Sequence, residues 1–236
     1  MCLYFNMTTS SDEQYRIQKM IKGSNGVTDQ NAADEQYDNG LDEGSTHIKS
    51  TFKDGKLISI YNNGKPMDCE DRKNCLTLDT RAKSNNLSKV IKGKYGVGGS
   101  FARARLGGQG TERITTKDGD VSYQCDINLK KLCDTSISPP QCWTGDHPNR
   151  PKWVQLQNSN HYENGVTKEY IGDDLHQKFY LPSVVKHLAV KYNSYIKKGV
   201  VFEIMWDNKK YIVPDIYNSS EEDIDKKIIN LDMYNN

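Results

Sequence analysis

No run of this sequence approaches the ~20 consecutive apolar residues that a membrane-spanning helix needs. The first ten residues lack a basic start and a long apolar stretch, so no secretory leader is expected. An excess of one charge is missing too. Thirty-two Lys and Arg stand against 31 Asp and Glu, a net charge of +1. Bulk charge alone therefore supports neither strong nucleic-acid binding nor attraction to an acidic membrane. The six cysteines (Cys2, Cys69, Cys75, Cys125, Cys133 and Cys142) contain no CxxC pair. Free thiols in a reducing compartment are expected, and Cys133, Cys142 and His147 match no standard zinc spacing. No internal repeat is visible. The expected location is intracellular, in cytoplasm or nucleus, or within a virus particle.

The chain has 236 residues, 27% charged and 35% hydrophobic. That suits one large domain or two small ones with a real core. Residues 1–27 read as a loose arm with a short helix over 13–21. A second helix is expected from Thr28 or Asp29, both good N-caps, to Gly44. Strands over 46–52 and 56–61 flank Asp54-Gly55, a strong hairpin signal. Residues 69–92 are polar and read as a long loop of the kind used as a lid. A second hairpin turns at Asp118-Gly119. Four prolines, Pro139, Pro140, Pro148 and Pro151, mark 133–152 as a surface excursion. Strands follow near 153–157 and 166–171. Residues 181–198 carry the clearest apolar helical spacing. A final hairpin turns at Asp207-Asn208, and 218–236 form a polar tail. Helices mixed with mainly antiparallel hairpins predict an α+β domain with helices on one sheet face.

Two features carry chemistry. Gly93-x-x-Gly96-x-Gly98 stands just before a helix-like run, Phe101 to Gly107. Glycines at that spacing let backbone N–H groups approach an anion, and a helix start adds unpaired donors. The run is neither a Walker nor a Rossmann pattern. On the second helix, Glu35, Asn39 and Asp42 lie at i, i+4 and i+7 and share one face, with Asp38 on its edge. An amide oxygen suits Mg²⁺, which keeps several of its waters, and a glutamate one turn away suits proton transfer from an attacking water. Ala33, Tyr37 and Leu41 form the stripe expected to face the core.

Between these stands Tyr61-Asn62-Asn63-Gly64-Lys65-Pro66-Met67. The three boxes in this order resemble the GHKL ATPase superfamily of gyrase-type topoisomerases, heat-shock chaperones, histidine kinases and MutL proteins. There the boxes read E-x-x-D-N-x-x-D, D-x-G-x-G and G-x-x-G-x-G. The look is closest to the Microrchidia and type II topoisomerase branches, and it spans about residues 28–217. The resemblance implies a Bergerat-type two-layer sandwich that binds ATP with Mg²⁺.

Carried over by position, Glu35 is implied as the general base and Asn39 as the Mg²⁺ ligand, with Asp38 and Asp42 supporting them. Asn62 falls where the family has the aspartate that accepts from the adenine amino group. Gly64 and Met67 would border the base. Gly93, Gly96, Val97 and Gly98 would wrap the phosphates, and Lys83 on the lid would reach one of them. Thr167 is expected near the adenine, and Glu43 and Lys65 are expected to pair at the pocket mouth.

Two departures matter. Asn62 replaces an aspartate, and a neutral acceptor weakens the bond by about 1 kcal/mol, with its NH₂ a further donor that can face the adenine amine. Pro66 stands where a glycine gives backbone freedom. Gyrase-like enzymes take a phosphate-contacting lysine from a following domain, and 236 residues are not expected to hold that domain as well. The implied function is a nucleotide-binding module with slow or partner-dependent ATP hydrolysis that gates contact with a protein partner or a second copy. The alternative is a non-catalytic scaffold in an assembly such as a virus particle.

Overall fold

A computed structural model describes residues 26–75, 98–130, 151–157, 162–173 and 175–216. The expected arm, most of the expected lid, the excursion from 133 to 150 and the tail from 217 lie outside these residues.

The first described helix, α1 (Asp29–Asp42), starts where its cap dictates: Thr28 Oγ1 accepts from Asn31 N at 3.1 Å. It ends before Gly44, whose φ of +80° closes the turn. Strands β1 (His47–Lys53) and β2 (Lys56–Asn62) follow. They join at Asp54 and Gly55, with φ of +51° and +70°, as an Asp-Gly hairpin requires. Helix α2 (Cys69–Asn74) is one short turn-and-a-half with a capping box between Asp68 and Asp71. Helix α3 (Gly98–Gly107) begins three residues earlier than the sequence pattern suggests. Then come β3 (Thr111–Asp118), β4 (Val121–Asn128), β5 (Val154–Leu156) and β6 (Gly165–Ile171). The long expected C-terminal helix is split at Tyr192 into α4 (Leu181–Lys191) and α5 (Asn193–Ile196). The last described strands are β7 (Val201–Trp206) and β8 (Lys209–Ile212).

The eight strands form one sheet in the order β5-β4-β3-β6-β2-β1-β7-β8. Every pairing is antiparallel except β1 with β7. This is the expected α+β sandwich. Strand alternation assigns one sheet face to the helices: Ile48, Ser50 and Phe52 on β1, Ile60 on β2, and Phe202 and Ile204 on β7 are buried there. From the helices come Ala33, Tyr37, Ala102, Leu106, Val184, Val185 and Leu188.

Two local devices set α1 on the sheet. Tyr37 stacks edge-on to Tyr192 and to Phe202, ring centres 6.0 Å apart in each case. Its hydroxyl shares a hydrogen bond with Ser50 Oγ at 2.9 Å. On the flank facing α4, Asp34 is buried and pairs with Lys191 Nζ at 2.7 Å and His187 Nε2 at 3.0 Å. Burial alone would raise the Asp34 pKa, but the bonds from His187 and Lys191 hold it below its ordinary value. The sign follows directly. A carboxyl whose folded pKa lies below 3.8 adds stability above that pH and loses it as pH falls through the folded value. Asp34→Asn is therefore expected to lose about 1–3 kcal/mol at pH 6. Urea unfolding at pH 6 and pH 3 checks this; a gap to wild type that fails to narrow in acid would contradict it.

Candidate functional site

Helix α3 is held to the rest of the fold at its C-terminal end, from two sides. Arg105 Nε, in its last turn, meets Asp29 Oδ1 at the start of α1 at 2.6 Å. The two helices also pack along one another. Both conditions hold only if they run antiparallel. The start of α3 at Gly98 therefore lies toward the C-terminal part of α1. Buried Gln177 fixes the other side: its amide bonds both backbone groups of Leu57 on β2 and the Leu106 carbonyl at the end of α3.

The acidic helix face divides. Glu35 and Asn39, both half-buried, lie about 40° apart around α1. Asp38 lies about 100° from Asn39 and approaches Lys191 on α4 at 3.7 Å. Asp38 is thus placed on the α4 side, with Asp34, rather than beside Asn39. Asp42, half-buried, lies one turn further along.

At the end of β2, Asn62 projects from the helix-facing side of the sheet, in register with Ile48 and Val166. Gly40 of α1 packs directly over it; a Cβ on Gly40 would meet Asn62 Cβ at 3.1 Å. Asn62 Oδ1 accepts from Ser45 Oγ at 3.1 Å and from Gly64 N at 3.2 Å. Gly64 is buried, and a side chain there would strike Ser45 Oγ at 2.6 Å. Met67 N donates to Thr116 Oγ1 at 2.8 Å, which brings the chain after the second box across to β3. Lys65 does not pair with Glu43. Its ammonium sits on Asp68 at 3.0 Å and Asp71 at 3.4 Å. Only its backbone N–H reaches the Glu43 carbonyl, at 3.0 Å.

The register of β6 corrects one expectation. Thr167 pairs with Tyr61 and Thr115, so its side chain leaves the opposite face of the sheet from Asn62. The residue aligned with Asn62 is Val166. The reason is Gly165, held at φ +123° where a Cβ would lie 2.1 Å from the Asn62 carbonyl oxygen. That glycine sets the parity of the strand, and alternation does the rest. Lys83, Gly93, Gly96 and Val97 lie outside the described residues.

Sequence reading missed several residues near this edge. Lys168 lies on the helix-facing side between Ile60 and Ile114, and its ammonium bonds Gln36 Oε1 under α1. The period-2 pattern of β6 could have flagged an inward lysine. Arg103 on α3 and Glu112 on β3 form a buried ion pair, 8% and 0% exposed. Arg103 Nη2 also donates to the Cys75 carbonyl at 3.2 Å. Burial alone would lower the arginine, but the Glu112 carboxylate holds it above its usual value. Cys75 and Cys125 are free thiols beside this pair, pushed up by burial to about 11 and about 12. They stay protonated at neutral pH and are poor nucleophiles. Among the described residues, no three His, Cys, Asp or Glu side chains converge to hold a metal ion, and no helix is long and apolar enough to cross a membrane.

Helix α1 covers the end of β2 at Asn62, and α3 packs along α1. A family model for histidine kinase-, DNA gyrase B- and HSP90-like ATPases matches residues 27–145. The chain belongs to this GHKL ATPase family, whose fold it shares. Strands β5, β6, β7 and β8 lie beyond the matched stretch but complete the same sheet. No curated protein matches the chain.

Proposed function

We propose that this protein is a Mg²⁺-dependent nucleotide-binding module in which Glu35 is the general base and Asn39 holds the metal. What supports the reading is one juxtaposition. The Asp29–Arg105 pair carries the start of α3 toward the C-terminal part of α1, the helix that bears Glu35 and Asn39, and Gly40 of α1 covers Asn62 at the strand end. Helix starts offer unpaired N–H donors to phosphate. A single amide oxygen is a fitting protein ligand for Mg²⁺, which takes most of its shell from phosphate and water.

Glu35 would orient and deprotonate the attacking water. Gly93, Gly96, Val97 and Gly98 would wrap the phosphates, with Lys83 reaching one of them from the segment after Cys75. Asn62, Gly64 and Met67 would frame the base. Closure of that segment over nucleotide would alter contact with a protein partner or a second copy, and hydrolysis would be slow or partner-dependent.

The test is a thermal midpoint measured with and without Mg²⁺ and non-hydrolysable nucleoside triphosphates. Ligand at 100 times its Kd adds about 2.7 kcal/mol, a rise of roughly 5–10 °C for a chain of this size. No rise at millimolar ligand, for any base, would leave the scaffold reading, which the altered Asn62 and Pro66 box favours.

A further inference from the structure

We infer that the base pocket selects a 6-oxopurine, hypoxanthine or guanine, over adenine. This rests on the nucleotide-site reading above, with Asn62 facing the base, and it turns on which end of the Asn62 amide is left to do so.

The Gly64 N–H is a donor only, so the Asn62 atom it meets at 3.2 Å must be the oxygen. The Ser45 hydroxyl donates to the same oxygen at 3.1 Å. Two donors fill its two lone pairs. Turning the amide over would set NH₂ against the Gly64 N–H, donor against donor. Swinging the side chain away would give up both of those hydrogen bonds. Nδ2 is what remains. No described residue bonds it. An aspartate here would hold the same two donors on one oxygen and offer the other to an amine. Asparagine offers two N–H donors instead.

Adenine carries a donor, its exocyclic amine, at the position that hypoxanthine and guanine fill with a carbonyl. The neighbouring side chains do not rescue the amine. Val166, aligned with Asn62, is apolar. The Thr116 hydroxyl is held in place by accepting from Met67 N at 2.8 Å and donating to the Gly165 carbonyl at 3.3 Å, and Asn62 stays the group placed at the strand end. A site whose buried polar group faces its like rejects that ligand strongly, whereas a complementary carbonyl is accepted.

The experiment is calorimetric titration of the full chain, with Mg²⁺, against non-hydrolysable triphosphates of inosine, guanosine and adenosine. The inosine analogue is expected to bind about tenfold tighter than the adenosine analogue, the loss expected for one unmade buried hydrogen bond. Guanosine binding like inosine supports a general 6-oxopurine site; inosine alone binding tightly supports one that excludes the 2-amino group. Asn62→Asp keeps an acceptor for Ser45 and Gly64 and should reverse the order in favour of adenosine by about tenfold. Adenosine binding tighter than inosine to wild type overturns the inference while leaving the nucleotide site standing. An order unchanged by Asn62→Asp overturns the role given to Asn62. Binding by none of the three defeats both readings. The wild-type comparison decides the matter even if the variant fails to fold.

Discussion

Glu112→Ala is expected to lower the unfolding free energy by about 3–5 kcal/mol, the largest single-residue stability effect in the molecule. Glu112 is fully buried on the helix-facing side of β3, and its partner Arg103 is 8% exposed. Removing the carboxylate leaves a guanidinium that cannot shed its proton inside the core. The Cys75 carbonyl, at 3.2 Å from Nη2, is the one other partner Arg103 keeps among the described residues. The cost comes from the stranded charge more than from the lost bond. Replacing both partners together, Arg103→Met with Glu112→Leu, should therefore be much milder than Glu112→Ala alone. Urea unfolding of the two variants makes the comparison. A single variant within 1 kcal/mol of wild type would show that solvent reaches the arginine. Because Arg103 joins α3 to β3 and to Cys75, the surviving Glu112→Ala protein should also bind nucleotide more weakly.

Glu35→Ala carries the largest expected functional effect. As general base, Glu35 is asked to supply a proton-transfer contribution of about 10²–10⁴ in rate. It makes no contact that binding needs, so affinity for Mg²⁺–nucleotide should stay within a few-fold of wild type. Asn39→Ala should do the reverse and weaken the Mg²⁺ dependence of binding. Single-turnover hydrolysis with protein in excess separates chemistry from product release. Turnover unchanged in Glu35→Ala would remove the assigned base, and absence of hydrolysis in wild type would point to the scaffold reading.

Much of the fold was legible because its signals are local. The Thr28 cap, the Asp54-Gly55 and Asp207-Asn208 turns and the stripe of Ala33 and Tyr37 depend on residues within a turn or two of each other. So did the pairing of Glu35 with Asn39 on one helix face, which follows from 3.6 residues per turn. The long C-terminal helix was overextended for a different reason. Its apolar spacing continues through Tyr192 and Ile196, but Tyr192 is needed as a core ring, stacked on Phe202 with centres 5.0 Å apart. Tertiary packing interrupted a pattern that propensity alone would continue.

Three features of the candidate site could not be read this way. Thr167 was expected near the adenine; the register of β6, with Gly165 pressed against the Asn62 carbonyl, puts Val166 and Lys168 on the helix-facing side instead. Asp38 reads as a member of the polar face, yet Lys191, far along the chain, lies near it at 3.7 Å. The Arg103–Glu112 pair looks like two ordinary surface charges until α3 is laid on β3.

By itself the sequence determined the order of the helices and hairpins, the family, and which polar residues share a helix face, since each depends on short-range geometry or on motif order. Tertiary structure decided which side of each strand meets the helices, which charges are buried in pairs, and which end of the Asn62 amide is spoken for. Those outcomes depend on register and on hydrogen-bond donors brought together by folding, and no local pattern encodes a donor's direction.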